Sequence, residues 1–258
     1  MVENTVASPV AVAKIDIEAG LRAVGLEAGD CVLVHSSLSS FGKVEGGAET
    51  VINALLQVVG AGGTVVMPAF TWNSYHHAHG AIFDVRHTPS ECGKITEVFR
   101  LRPGVVRGPH VCHSMAAIGA YAGEMIGDTA SPYGPGSAFA ALEELNAWNL
   151  FLGVSFGCCT ALHLVEERAK VPYRRYRDYA DCTVIDAEGK QAPSRAVEFL
   201  RVPGFFNDFA KMGGVLEGHG VLHRAQVGNA TLTNVRIRDV IRIAESYMRQ
   251  DNSFLLGS

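Results

Sequence analysis

The centre of the predicted fold lies in residues 31–69, CVLVHSSLSSFGKVEGGAETVINALLQVVGAGGTVVMPA. Two short apolar runs, at 31–35 and 64–69, enclose an amphipathic run at 48–59. Short apolar runs that end at Gly-rich turns are typical of buried strands, and apolar residues at helical spacing indicate a helix. This stretch therefore predicts a strand–helix–strand unit at the centre of a sheet.

The alternation of strands and helices continues on both sides of this unit. Further strands are predicted at 149–154 and 111–118, and helices at 15–26, 93–101, 137–145, 160–170, 204–212 and 234–249. Beyond Pro172, a turn at Gly189 lies between 181–186 and 192–200 and predicts a hairpin. We therefore expect an α/β fold with a central, largely parallel sheet flanked by helices and an added antiparallel hairpin.

The composition is that of one globular domain. The chain has 258 residues, of which 48% are apolar and 19% charged, and its net charge is −4. These values exclude a disordered, collagen-like or coiled-coil protein and argue against a dedicated nucleic-acid binder. We expect residues 1–14 to form a loose leader and 15–258 to form a single domain. No stretch has the apolar length of a signal peptide or a membrane span.

The six cysteines show no CxxC spacing and are too few for a disulfide scaffold. They indicate reduced thiols, so the sequence predicts a cytoplasmic protein. No interface pattern is visible, and both a monomer and a homodimer stay open.

Three loops, at 36–47, 70–91 and 153–160, are expected to lie where the predicted parallel strands end, and ligands gather at such places. The first follows His35 with four Ser and three Gly before a helix. Hydroxyls, backbone N–H groups and a helix start suit phosphate or amide groups. The loop lacks the GxxxxGK[ST] and GxGxxG patterns, and a solvated connection would have the same composition.

His163 opens the predicted helix TALHLVEERAK, directly after a buried strand. An imidazole at this place faces the mouth of the sheet and can act as a general base. Glu166 and Glu167 lie three and four residues further on, within helical reach. The alternative is a histidine on a solvated helix face.

Two other chemistries stay open. A metal-dependent hydrolase would use a cluster in the second loop, although no HExxH or CxxC spacing fixes its geometry. That cluster consists of His76, His77, His79, Asp84, His87 and Cys92. A covalent mechanism would use Cys158 or Cys159 with His163, since a Cys at a helix start has a lowered pKa.

Several stretches, taken in order, resemble the aminoglycoside 3-N-acetyltransferase family. They are VLVHSSLSSFGKVEGG, GGTVVMPAFTW, FDVRHTPSECGKITEVFRLRPGVVRGPHVCHS, SPYGPGSAF, LFLGV followed by TALHLVEERAKVPY, and GVLHRAQVGNA. The resemblance implies an α/β fold distinct from the common GNAT acetyltransferases. It also implies acetyl-coenzyme A as donor, an amine as acceptor, no metal, and a place in antibiotic resistance.

The resemblance implies roles for individual residues. The family's catalytic histidine corresponds to His163, and its partner carboxylate, counted from the hairpin turn, corresponds to Glu198. The Ser-rich loop matches the stretch that binds pantetheine and phosphates. The implied cofactor-binding residues are His35, Ser36, Ser37, Ser39, Gly42, Val44, His110 and Ser114. The implied substrate-binding residues are Trp72, Asn73, His76 and Glu166.

The resemblance predicts direct transfer with His163 as base, Glu198 as its orienting carboxylate, and N–H and hydroxyl groups of residues 36–40 at the oxyanion. One departure concerns the acceptor. Aminoglycoside-modifying members carry an Asp after the second strand, where this chain has Asn73 and Ser74. Two acceptors therefore stay open: an aminoglycoside or related antibiotic, and a non-aminoglycoside amine of a biosynthetic pathway.

Overall fold

The computed structural model describes residues 11–75, 79–127 and 130–257, in which a central sheet lies between two layers of helices. The helices are α1 (Lys14–Ala23), α2 (Ala48–Val59), α3 (Trp72–Tyr75), α4 (Lys94–Arg100), α5 (Ala138–Glu144), α6 (Leu162–Arg168), α7 (Met212–Gly218) and α8 (Ile237–Met248). The strands are β1 (Cys31–Ser36), β2 (Thr64–Pro68), β3 (Ile82–Asp84), β4 (Val106–Arg107), β5 (Met115–Gly119), β6 (Trp148–Leu152), β7 (Arg174–Asp178), β8 (Thr183–Ile185), β9 (Gln191–Pro193), β10 (Val197–Arg201), β11 (His223–Val227) and β12 (Ala230–Arg236).

The central sheet has the strand order β11-β12-β6-β1-β2-β5-β4. Strand β1 pairs in parallel with both β2 and β6, so the predicted parallel sheet corresponds to these three strands. Strands β12 and β5 pair antiparallel with the outer sides of β6 and β2. The prediction of an α/β fold with a parallel centre is confirmed.

Apolar residues along β1 supply a core on each face of the sheet. Val32 and Val34 are buried together with residues of α1, α2 and α4. Leu33, between them, is buried with residues of α5, α6 and α8. Successive strand residues point to opposite faces, so a continuous apolar run needs helices on both. Burial of both faces fixes the register of β1, and with it the place where Ser36 leaves the sheet.

The C-terminal part differs from the prediction in two places. Residues 230–236 form β12, so the helix predicted at 234–249 begins only at Ile237. Gly228, with a left-handed φ of 54°, joins β11 to β12 as a hairpin that the sequence analysis missed. The helix predicted at 204–212 is displaced to α7, because Met212 and Leu216, four residues apart, are the buried positions.

The predicted hairpin around Gly189 is confirmed as β8 and β9. Strand β3, inside the long loop predicted at 70–91, adds to β8 in parallel. The predicted strand at 192–200 is interrupted, and its second half, β10, pairs antiparallel with β7 instead. This separate two-stranded sheet places Glu198 beside the functional site described below.

The end of the predicted leader is packed rather than loose. Val12 is buried and forms a bridge with Val44, and its N–H donates to the Lys43 carbonyl at 2.8 Å. Residues 1–10 lie outside the described residues. Within the ranges given above, no helix has the length and apolar character needed to cross a membrane.

Candidate active site

A cavity of about 770 Å³ lies where β1, β2 and β6 end. All three loops predicted to hold ligands contribute to its walls, through Ser36, Trp72, Asn73, Glu91, Cys158 and Thr160. His163, Glu198, Tyr133, Arg174 and Asn207 also line it. The structure therefore brings the predicted base and the predicted loops into one site.

His163 lies in the first turn of α6. Its Nδ1 atom is 2.6 Å from Oε2 of Glu166, three residues further along the same helix. Residues at this spacing lie on the same side of a helix, so the pair forms within α6 alone. The pairing leaves Nε2 as the nitrogen that can exchange a proton with a ligand.

Glu166, and not Glu198, is the carboxylate that orients His163. Glu198 lines the same cavity, where it accepts a hydrogen bond from the hydroxyl of Tyr179. Glu198 was identified by its distance in sequence from Gly189, which assumes one continuous hairpin. The structure divides that segment, because β10 belongs to a different sheet from β9, so Glu198 lies at the cavity but does not contact the imidazole. The predicted contact between Glu198 and His163 is therefore corrected.

Glu166 has no exposed surface and three partners hold its carboxylate. His163 Nδ1 and Arg174 Nε lie 2.6 and 2.7 Å from Oε2, and Asn207 Nδ2 donates to Oε1 at 2.9 Å. A buried carboxylate needs such partners, because loss of water disfavours its charge. The prediction that Glu166 contacts the substrate is wrong, since protein groups take its oxygens.

Burial lowers the pKa of His163 below its usual 6.5, and the charge of Arg174 lowers it further against the opposing effect of Glu166. Burial alone would raise the pKa of Glu166, but the charge and hydrogen bond of His163, with Arg174, lower it instead. At pH 7 the pair is therefore a neutral imidazole beside a carboxylate. This is the state in which an imidazole accepts a proton.

At the Ser-rich loop, His35 and the first loop residue line the cavity, whereas groups further along form hydrogen bonds within the protein. His35 and Ser36 line the cavity, and burial lowers the pKa of His35 to about 4, which keeps it neutral. The Ser37 N–H donates to a β6 carbonyl at 3.0 Å, and the Ser40 hydroxyl donates to the Ser37 carbonyl at 2.7 Å. These two groups are therefore not available to an oxyanion, and the expectation for the other N–H and hydroxyl groups of residues 36–40 stays a prediction.

Three further loop residues predicted to bind coenzyme A lie outside the lining of this cavity. The Ser39 and Ser37 hydroxyls are 3.2 Å apart, and Val44 is paired with the segment before α1. Gly42 has a φ of 81°, a backbone conformation that favours glycine. Contact of this loop with pantetheine or phosphates stays a prediction.

His110 and Ser114, also predicted to bind the cofactor, hold the backbone instead. His110 Nδ1 accepts two backbone N–H groups, at 3.0 and 3.2 Å. The Ser114 hydroxyl donates to the Ala69 carbonyl at 2.7 Å and accepts from Arg107 Nε at 2.9 Å. Both side chains are buried and neither lines the main cavity, so their assignment as cofactor ligands is corrected.

Trp72 and Asn73, predicted to contact the substrate, line the cavity from α3. Glu91 lines it beside them, and its carboxylate accepts the N–H groups of Asn73 at 2.7 Å and Ser74 at 2.9 Å. A carboxylate thus reaches this wall although the helix itself carries none. No local pattern around Glu91 indicates this, because the contact depends on the path of the whole 70–91 loop.

The metal alternative has no support in the part of the chain that the structure describes. His79 and His87 are exposed, and each is paired with one aspartate, at 3.1 and 2.9 Å. No group of three or more His, Cys, Asp or Glu side chains among the described residues is arranged to hold a metal ion. His76 and His77, which belong to the predicted cluster, lie outside those residues.

The two adjacent cysteines are poorly suited to act as nucleophiles. Burial raises the pKa of Cys158, and it raises the pKa of Cys159 to about 12. The expectation of a pKa lowered by a helix start is therefore wrong for both. Since the thiolate is the reactive form, these environments disfavour a covalent mechanism.

Sequence reasoning missed three residues of the site. Arg174 belongs to the YRRYRDY run, whose mixture of Arg and Tyr was a visible signal. Tyr133 lies in SPYGPGSAF, where two prolines and two glycines indicate a turn. They do not indicate that Tyr133 packs against His163. Asn207 has no signal at all, because only tertiary packing brings it to Glu166.

The chain is similar to known proteins over nearly its whole length. A family model described as aminoglycoside 3-N-acetyltransferase matches residues 33–249. The aminoglycoside N(3)-acetyltransferase VII of Streptomyces paromomycinus is 31% identical in an alignment 256 residues long. The alignment covers 89% of this chain and 89% of that protein. These matches confirm the resemblance inferred from the sequence.

Two solved structures are also similar to this chain in fold. AAC-IIIb in a binary complex with CoASH aligns with a TM-score of 0.80 and 25% identity, covering 93% of this chain and 97% of that one. A histidine-to-alanine mutant of aminoglycoside acetyltransferase AAC(3)-IVa in complex with apramycin aligns with a TM-score of 0.79 and 29% identity, covering 95% of each chain.

Proposed function

The chain belongs to the aminoglycoside 3-N-acetyltransferase family, and we propose that it transfers the acetyl group of acetyl-coenzyme A to an amine of an aminoglycoside or related secondary metabolite. The observation that carries this proposal is the His163–Glu166 pair, with His163 at the wall of the large cavity. An imidazole whose Nδ1 is held by a carboxylate suits direct acylation of an amine.

His163 is the general base of the proposed reaction. The neutral form of the amine, whose ammonium has already lost one proton to water, attacks the thioester carbonyl carbon. The C=O electron pair moves to oxygen, and His163 Nε2 takes the second proton that the nitrogen loses. Glu166 accepts the Nδ1–H hydrogen bond, fixes the tautomer and stabilises the imidazolium. When the C=O bond re-forms and the C–S bond breaks, that proton passes to the departing thiolate. The acetyl group is never bound to the protein.

In this proposal the donor lies along the Ser-rich loop, with its thioester between Ser36 and His163, since both residues line the cavity. The complex of AAC-IIIb with CoASH supports coenzyme A as the donor in a chain of the same fold. The backbone N–H groups and hydroxyls of residues 36–47 that face outward then serve pantetheine and phosphates.

The acceptor is an amine that is protonated in solution. Glu91 and Glu198 line the same cavity as His163, and carboxylates attract ammonium groups. The apramycin complex of AAC(3)-IVa favours an aminoglycoside. A second acceptor class, a non-aminoglycoside amine of a biosynthetic pathway, is favoured by one observation: α3 presents Asn73 and Ser74 and no acidic side chain.

The proposal is tested by thiol release from acetyl-coenzyme A with purified protein and a panel of aminoglycosides and other amines. We expect turnover with at least one amine and a fall in kcat of about 100-fold or more in His163→Ala. His219→Ala, on an exposed helix end, is the matched control and retains turnover. A parallel series with a chelator addresses the metal alternative.

Each result has a definite reading. Turnover with an aminoglycoside supports that acceptor, and turnover only with other amines supports the biosynthetic one. Full activity in His163→Ala would show that the base is a different group. Loss of activity with the chelator would favour metal-dependent chemistry.

A further inference from the structure

Tyr133 lines the cavity with its ring next to the proposed base, and its hydroxyl is buried. The side chain is 4% exposed, and its ring centroid lies 5.3 Å from that of His163. Among the described residues, this hydroxyl has no hydrogen-bond partner. Burying such a group without a partner costs about 1–3 kcal/mol. Phenylalanine would fill the same space without that cost, so the hydroxyl indicates a ligand.

The segment that carries Tyr133 holds the ring in one position. The Ser131 hydroxyl accepts the N–H groups of Tyr133 and Gly134, each at 3.2 Å, and donates to Glu167 Oε2 at 2.6 Å. Prolines directly before Tyr133 and directly after Gly134 restrict the backbone further. The ring also packs against Phe139, at 5.3 Å between centroids. A group held in this way loses little freedom when it binds a ligand atom.

The chemistry of this hydroxyl favours donation to an anionic oxygen. Burial raises the pKa of Tyr133 well above its usual value of 10, so the phenol stays protonated. It therefore donates its hydrogen to an acceptor rather than releasing it. In acetyl transfer, the oxygen of the thioester carbonyl becomes negatively charged as the amine attacks the carbon.

We propose that the Tyr133 hydroxyl donates a hydrogen bond to the oxygen of the tetrahedral intermediate while His163 takes the amine proton. This inference rests on the acetyl transfer proposed above. As the C–N bond forms, the C=O electron pair moves to the oxygen, and the phenol stabilises it without giving up its proton. As the C=O bond re-forms and the C–S bond breaks, the hydrogen bond weakens again.

Tyr133 offers a donor in addition to the groups of the Ser-rich loop. The Ser37 N–H and the Ser40 hydroxyl are both used inside that loop. Tyr133 shares the cavity with His163 and Ser36, between which the thioester is placed. Its hydroxyl is thus a donor beside this cavity that no hydrogen bond among the described residues uses.

The test is Tyr133→Phe, which removes only the hydroxyl. We expect kcat to fall by about 100-fold, as for the loss of one oxyanion donor, while KM for both substrates changes by less than about threefold. We also expect the thermal midpoint to stay the same or rise, because no protein hydrogen bond is lost. Tyr247→Phe, where the ring packs on Phe254 away from the cavity, is the control and retains its kcat.

Wild type and His163→Ala are measured in the same assay to separate the two proposals. If wild type releases no thiol with any amine, the acetyl transfer and this inference both fall. If wild type is active and Tyr133→Phe keeps its kcat, or changes only KM, the role of Tyr133 alone is overturned. A lower thermal midpoint together with a lower kcat would assign the hydroxyl a structural role and would equally overturn it.

Discussion

His163 Nδ1 and Glu166 Oε2 meet at 2.6 Å across one turn of α6, with the glutamate completely buried. Because both residues belong to one helix, their relative position is set by local structure. The depth of burial is set by tertiary structure, since Arg174 on β7 and Asn207 beyond β10 close over the carboxylate. The base is therefore oriented by its own helix, and the carboxylate that orients it is shielded from water by Arg174 and Asn207.

Glu166→Gln tests this arrangement. The substitution keeps the size of the side chain but removes the charge that stabilises an imidazolium on His163. We expect kcat to fall by about 100-fold or more, with a smaller change in KM for acetyl-coenzyme A. Thiol release under saturating donor measures this.

The control for that variant is Glu245→Gln, which removes a carboxylate from a partly exposed ion pair with Arg168. Exposed pairs contribute little, so this variant is expected to behave as wild type. Circular dichroism checks that Glu166→Gln is folded. This check is needed because loss of the carboxylate charge leaves Arg174 buried beside a neutral group. A folded Glu166→Gln enzyme with wild-type kcat would remove Glu166 from the mechanism.

The pH profile of kcat/KM provides a second prediction. A base must be neutral to accept a proton, so activity rises with pH as the His163 imidazolium loses its proton. Burial and Arg174 both lower the pKa of His163, and we expect the midpoint of this rise below the usual value of 6.5. Glu166→Gln removes a charge that favours the imidazolium and should move the midpoint lower still.

Acceptor amines also titrate, and the experiment has to separate the two ionisations. Profiles are therefore recorded with two acceptors whose amines differ in pKa. The limb that stays in place belongs to the enzyme, and the limb that moves belongs to the acceptor. An enzyme limb above 6.5 would contradict the direction of the shift.

The strand–helix–strand unit and the base could be predicted because both depend on nearby residues. Helix α2 has the predicted bounds, and His163 follows the buried β6 as expected. The β12 strand was missed because its continuous burial at 232–235 also fits a buried helix, and only pairing with β6 distinguishes them. A short apolar run can be a strand or a helix by its sequence alone, and the two cannot be told apart when the neighbouring strand is far away in the chain.

The carboxylates of the site show the same limit more clearly. Helical spacing puts Glu166 within reach of His163, whereas the resemblance implies that it binds the substrate. Glu198 was assigned to His163 by counting along an uninterrupted hairpin, and the structure divides that hairpin between two sheets. Glu91 was not assigned at all, since its contact with Asn73 spans 18 residues of irregular chain. Which carboxylate meets which group depends on long-range packing that residue spacing does not encode.

Gly153 leads to the last prediction, because it supports the Ser-rich loop from the end of β6. Its φ of 66° is strained for other residues, and a Cβ would lie 1.8 Å from the Ser40 hydroxyl oxygen. We expect Gly153→Ala to lower stability by about 1–3 kcal/mol, which in a chain of this size lowers the thermal midpoint by several degrees. Displacement of Ser40 should also raise KM for acetyl-coenzyme A severalfold.

Gly29→Ala and a second-site change separate strain from contact in Gly153→Ala. Gly29 also has a left-handed φ, 91°, but no atom lies within 4 Å of the Cβ position, so Gly29→Ala carries strain alone. It should lower the thermal midpoint less and leave KM unchanged. Because the colliding atoms are those of the Ser40 side chain, S40G in the G153A background should restore part of both losses. If S40G restores neither, the contact is not the cause, and the link between Gly153 and donor binding fails.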